Sequence, residues 1–253
     1  MTPLHVDPRP LLHLEWASLT GGMRPPARTT LARSGWRPDP PGTYCHRCGS
    51  SVGKGELTGR GCAGCRDVTA RPARIVRLGA YDTPLDDWVR ALKYGGWAAM
   101  ARELGRRLGT AVRSGCALAP GRTLVVPMPM PPVRRLYRNI DHAGLLAEAA
   151  AAALGGRVGP VLRRVDPLPQ AGRGATARRG LAATAIRARR RSGRVVRGRD
   201  VVLIDDVRTT GASLRVAARA LEPLGPRRII AAVVAVADDP ARRQTSTRPS
   251  RMA

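Results

Sequence analysis

The 253-residue chain has no phenylalanine, four tryptophans, four tyrosines and 18 acidic residues. Of its 44 basic residues only Lys54 and Lys93 are lysines. Each shortage excludes something. Aromatics at 3% do not provide the successive stacking surfaces of a dedicated single-strand groove. Too few acids remain to neutralise the arginines, and the formal net charge is +26. A field of that sign attracts polyanions, whether nucleic acid or polyphosphorylated metabolites. The alternative is a solvated arginine surface set by composition alone. Long apolar runs are also missing: residues 143–156 (AGLLAEAAAAALGG) are too short to span a bilayer and include Glu148. The N-terminal segment has no apolar core of a secretion signal. The chain reads as soluble and cytoplasmic, with no membrane span.

What is present suffices for a packed core, with 43% hydrophobic residues. Residues 1–43 are rich in Pro, Arg and Thr without sustained periodicity, and read as a disordered extension. Residues 239–253 read as a disordered tail. Between them, 44–70 form a cysteine-bearing module and 71–238 one α/β domain. Strands are expected at 73–81, 123–128, 200–205 and 227–237, the last three as continuous apolar runs buried on both faces. Helices are expected at 84–96, 98–112, 141–154 and 212–224. In the second of these, Met100, Leu104, Leu108 and Val112 recur every fourth residue. Strands alternating with helices predict a mostly parallel sheet with flanking helices. Charge is uneven as well, with thirteen arginines and one acid, Asp166, between Arg157 and Arg199.

Four cysteines form two C-x2-C pairs, Cys45/Cys48 and Cys62/Cys65, separated by thirteen residues. Each pair can clasp one metal from a tight knuckle, and four thiolates complete a tetrahedral zinc shell. Such a site is structural, because four protein ligands leave no open position. Disulfides or reactive thiols are the alternatives, and a cytoplasmic setting opposes stable disulfides. His46 lies inside a knuckle as a bystander, and Cys116 stands alone as an ordinary small residue.

The segment VVLIDDVRTTGAS, residues 201–213, carries the densest chemistry. Val201–Ile204 read as a buried strand, with Asp205 and Asp206 emerging at its carboxyl end, where open α/β sheets bind ligands. The backbone amides of the following turn, with the hydroxyls of Thr209, Thr210 and Ser213, can ring one phosphate at a helix N-terminus. Gly211 permits close approach, and Ala212 follows it into the helix. Two carboxylates beside a phosphate cup suit a sugar phosphate whose neighbouring hydroxyls donate to them. A helix cap or a metal pair are the other uses of adjacent acids. The pattern G-x-x-x-x-G-K-[ST] is absent, since GSSVGKG at 49–55 has the wrong spacing.

Residues 201–213 resemble the phosphoribosyl pyrophosphate (PRPP) binding motif of type I phosphoribosyltransferases. The four-cysteine module, ALKYGG (91–96), VVPMPMPPVRR (125–135) and PQAGRGATARR (169–179) together resemble the ComF family, over about residues 45–237. The resemblance implies that Asp205 and Asp206 hold the ribose hydroxyls and that Thr209–Ser213 take the 5′-phosphate. It places Arg134 and Arg135 near a pyrophosphate carrying Mg²⁺, with Arg173, Arg178 and Arg179 available to stabilise its departure. It further implies either a transferase with an unidentified acceptor or an accessory factor in DNA uptake that binds single-stranded DNA or a partner protein. The chain departs from the family at Asn139-Ile140-Asp141-His142, where Gly-Phe-Asn-Gln is typical, and lacks the Asn usual after Arg179.

Overall fold

Apolar runs alternating with amphipathic segments build the domain strand by strand. The structure, a computed structural model, describes residues 24–53, 55–65, 72–119, 121–130, 140–165 and 186–238. Helix α1 (Ala27–Ser34) precedes β1 (Arg74–Ala80), α2 (Leu85–Gly95), α3 (Ala98–Gly115), β2 (Thr123–Pro127) and α4 (His142–Leu154). Then come β3 (Arg157–Val158), β4 (Leu162–Arg164), β5 (Ile186–Ala188), the single turn α5 (Gly193–Val196) and β6 (Asp200–Arg208). Helix α6 (Ala212–Leu221), a 3-10 turn at Glu222–Leu224 and β7 (Arg228–Val236) complete the order. The main sheet runs β1-β7-β6-β2-β3, and every pairing in it is parallel. Strands β4 and β5 form a separate antiparallel pair, with Arg163 directly opposite Arg187. This is the mostly parallel, helix-flanked sheet that the alternation predicts.

Strand β6 shows why the central run is continuously apolar. Its side chains alternate between faces, and both faces are covered. Val201 and Leu203 join Leu214, Ala218 and Leu221 of α6 in one cluster, while Val202 and Ile204 join Leu104, Leu108 and Leu146 of α3 and α4 in the other. Each such side chain contributes about 1.5–3 kcal/mol on burial.

Helices α3 and α4 approach main chain to main chain. A Cβ placed on Gly105 would lie 2.5 Å from the Leu146 carbonyl oxygen, and one on Gly109 would lie 2.6 Å from that of Ala150. Only glycine fits at these two turns. Helix α4 opens on Asp141, whose carboxylate accepts from the Gly144 amide at 2.9 Å, and ends on Gly155 in the left-handed region.

Two expectations change. Asp205 and Asp206 lie within β6 rather than beyond it, because pairing with β7 continues from Asp205↔Val233 to Arg208↔Val236. Residues 24–43, taken from composition as unstructured, contain α1 and a tethered chain. Ala27 and Leu31 are buried in the core cluster, Trp36 meets Trp88 edge-on at 5.4 Å, and the Asp39 amide donates to the Leu78 carbonyl at 2.7 Å. Three anchors at irregular spacing produce no periodic pattern, so propensity alone misses them. Residues 1–23, 166–185 and 239–253 lie outside the described residues, and with them Arg173, Arg178 and Arg179.

Candidate functional site

Parallel strands present their carboxyl ends on one edge, where helix N-termini also gather. At that edge β6 ends on Arg208, Thr209 and Thr210 are exposed, and Gly211 turns the chain at φ +71° into α6. That positive φ is a conformation for which glycine is suited. The Ala212 amide meets the Thr210 hydroxyl at 3.3 Å, and Arg215 holds the Thr210 carbonyl at 2.9 Å. Thr209, Thr210, Gly211, Ala212 and Ser213 therefore form one turn at the start of a ten-residue helix. Its first amides have no intrahelical acceptor, and the helix dipole favours an anion there. The predicted Arg134 and Arg135 lie outside the described residues.

The two acids behave differently. Asp206 is buried among three donors: His142 Nε2 reaches its Oδ2 at 3.0 Å, Lys93 Nζ its Oδ1 at 3.2 Å, and the Val207 amide donates to Oδ1 at 2.6 Å. Burial pushes this carboxyl up, but the His142 hydrogen bond and the Lys93 charge outweigh it and leave the group below the usual carboxylate range. Asp205 accepts the Asp206 amide at 2.9 Å. Burial first, and then the neighbouring Asp206 charge, push Asp205 up to about 7, against the pull of Lys93 and Arg164.

Lys93, at the end of α2, and His142, in the first turn of α4, were not among the site residues read from sequence. A signal for Lys93 did exist. In a chain that otherwise uses arginine almost throughout, a lysine supplies a compact ammonium where a planar guanidinium would not fit. His142 stood out only as a departure from Gly-Phe-Asn-Gln.

The four cysteines meet as their spacing predicts. Sγ–Sγ distances are 3.6 Å for Cys45–Cys65, 3.6 Å for Cys48–Cys62 and 3.7 Å for Cys62–Cys65, and all four sulfurs lie within 4.8 Å of one another. A tetrahedral shell with metal–sulfur bonds of about 2.3 Å places its sulfurs about 3.8 Å apart, so the arrangement fits one ion. Hydrogen bonding with Cys48 pulls Cys45 far down, and the same bond, with burial, pushes Cys48 up. His46 stays out of the sulfur cluster and gives its carbonyl to the Ile75 amide at 2.6 Å. Cys116 is a buried thiol whose pKa is raised by burial, which makes it unreactive.

One buried guanidinium docks this module on the sheet edge. Arg77 of β1, 2% exposed, donates to the Gly49 carbonyl at 2.8 Å, the Ser51 hydroxyl at 2.8 Å and Asp39 at 2.7 Å. It also pairs with Asp238 at 3.4 Å and lies 5.1 Å from the Tyr44 ring centroid. Arg208 adds a second tie, its Nη1 donating to the Ser50 hydroxyl at 3.2 Å just before the Thr209–Ser213 turn. The cysteine module and the anion-ready turn are thus neighbours in space. Among the described residues no helix is long and apolar enough to cross a membrane.

No curated protein matches the chain significantly. Among solved structures, it is similar to an allosteric regulatory enzyme of purine biosynthesis, at 18% identity and a TM-score of 0.35, over 53% of this chain and 25% of that one. It is similar to glutamine PRPP amidotransferase from B. subtilis, at 19% identity and a TM-score of 0.34, over 52% and 25%. A protein from Thermus thermophilus matches at 22% identity and a TM-score of 0.33, over 60% and 85%. The chain spans about a quarter of the length of the first two. The family model described as phosphoribosyl transferase domain matches residues 161–252, the stretch that contains β6, both aspartates and the Thr209–Ser213 turn.

Proposed function

We propose that the chain binds PRPP or a ribose 5-phosphate at the carboxyl end of β6 and transfers the phosphoribosyl group to an acceptor. One observation carries this reading. An anion-ready turn, Thr209–Ser213, follows directly on two carboxylates within the segment matched by the phosphoribosyl transferase domain model. The 5′-phosphate takes the amides and hydroxyls of the turn, and the ribose hydroxyls donate to the carboxylate side.

Mg²⁺, when bound, would be held by pyrophosphate oxygens and water rather than by a full protein cage, and would supply charge neutralisation there. The protein holds the sugar phosphate in line and stabilises charge; no protein nucleophile is required. The cysteine cluster holds a structural zinc, which supplies the folding energy that its few apolar residues do not.

Calorimetric titration with PRPP and Mg²⁺ tests the site. We expect binding by the wild type and loss of it when Asp205→Asn is combined with Thr210→Val. Wild-type protein that does not bind PRPP or ribose 5-phosphate would sink the reading.

A second reading, an accessory factor in DNA uptake that contacts nucleic acid or a partner, is favoured by the β4–β5 pair. There Arg163 and Arg187 are exposed and directly opposed, an arrangement that costs stability unless a polyanion relieves it. Charge-driven DNA binding would show a log–log salt slope of about −0.9 per neutralised phosphate. Salt-independent binding, or none, excludes its nucleic-acid form.

A further inference from the structure

Adjacent residues of a strand point to opposite faces of the sheet, and this separates the two aspartates. Asp206 follows Val202 and Ile204 onto the face covered by α2, α3 and α4, and there its carboxylate already meets three donors. Lys93 and the Val207 amide occupy Oδ1, His142 occupies Oδ2, and the residue is 6% exposed. Asp205 follows Val201 and Leu203 onto the face of α6, the helix that the Thr209–Ser213 turn opens. Among the described residues its single hydrogen bond is the Asp206 amide, so its oxygens retain acceptor capacity.

We propose that Asp205 alone meets the sugar hydroxyls, and that Asp206 is a positioning residue clamped behind it by Lys93 and His142. This deepens the ribose-phosphate reading and rests on it. A carboxylate already held by an ammonium, an imidazole and an amide cannot turn to a ligand without leaving those donors unpaired in a buried site. The clamp also explains the departure at position 142, where a side chain with a ring donor reaches the acid from the first turn of α4.

The charges acting on Asp205 are Asp206 on its own strand, Lys93 from α2 and Arg164 from β4, while His142 from α4 holds Asp206. Their balance leaves Asp205 titrating near neutral pH, so a hydroxyl-accepting carboxylate forms there only as pH rises. Clamping Asp206 as an anion holds that balance in place.

The test is calorimetric titration of the full chain with ribose 5-phosphate from pH 5 to pH 9, with circular dichroism on every variant. The ligand's own phosphate ionisation is common to all variants and cancels in the comparison. Asp205→Asn is expected to weaken binding more than about tenfold at pH 8 and to remove the protein's contribution to the pH profile. Asp206→Asn is expected to keep measurable binding with the midpoint moved acid by about one unit, because the neighbouring negative charge is gone. Lys93→Met is expected to move the midpoint the other way. His142→Gln, which keeps a side-chain donor, is expected to track the wild type more closely than His142→Ala.

Folded Asp206→Asn that loses as much affinity as Asp205→Asn at every pH would overturn the division of labour. If Asp206→Asn does not fold, an unmoved midpoint in Lys93→Met would overturn it instead. Wild-type protein that binds no ribose 5-phosphate at any pH would overturn the underlying reading of the site.

Discussion

The cysteine module and the sheet domain of one chain are held together by different physics. In the sheet, β6, β7 and their helices bury dozens of aliphatic side chains on two faces, and stability comes from area removed from water. The module's own core contains Val52, its four cysteines and a partly buried Leu57. Its order rests on four sulfurs and on polar ties to the sheet edge. The two regions therefore respond to different insults. The sheet is broken by cavities, and the module by losing Arg77 or, on the zinc reading, the metal.

The largest effect is expected from removing the proposed zinc. Cys45→Ser combined with Cys62→Ser, or chelation, should abolish bound zinc and on the order of 10 kcal/mol of local stabilisation. Limited proteolysis should then cut within residues 44–65 while circular dichroism retains the helical signal of the sheet domain. Loss of the entire signal would show that the two regions are one cooperative unit.

Next is Leu203→Ala in the fully buried centre of β6, expected to cost about 3–4 kcal/mol by urea denaturation with metal content unchanged. Arg77→Met sharpens the comparison from the other side. It strips the counterion from Asp238, which is 7% exposed, and should cost about 3 kcal/mol while loosening the module. Hydrogen exchange should quicken around Cys45–Cys65 before it quickens in β6.

The effect expected from Asp205→Asn depends on pH. In the unfolded chain this carboxyl titrates near 3.9, and in the fold it titrates at about 7. Between those values the native state binds more protons, so wild-type stability falls as pH rises from about 4 to about 7. Asn removes that slope. The variant should melt higher than the wild type at pH 8 and no higher at pH 4. Equal melting at both would mean that Asp205 is not held against its charge.

Much of the fold was legible in the residues. A run such as Val201–Ile204 has no polar alternation because β6 lies between two helical layers, and the turn chemistry of Thr209–Ser213 needs only local order. The C-x2-C pairs likewise declare their chemistry within each knuckle. Less legible was anything that depends on partners distant along the chain. Nothing near Asp206 says that Lys93 of α2 and His142 of α4 will converge on it, because only the packing of both helices on one sheet face brings them there. The extension of β6 through both acids was also hidden. Two aspartates read as a strand end, but the register with β7 carries the ladder past them. Helix α1 escaped for a third reason: its anchors serve the core of another element rather than a face of their own.

The crossing of α3 and α4 has a consequence for the site that its chemistry does not suggest. Gly105 sets how near α4 can come at Leu146, one turn beyond His142, and α4 behaves as a stiff rod over that length. One methyl group at Gly105 would act as a shim under that rod, lifting the imidazole from the carboxylate it restrains. Two positions without side chains, remote from any ligand, thus serve as a gauge block for the spacing between a histidine and an aspartate.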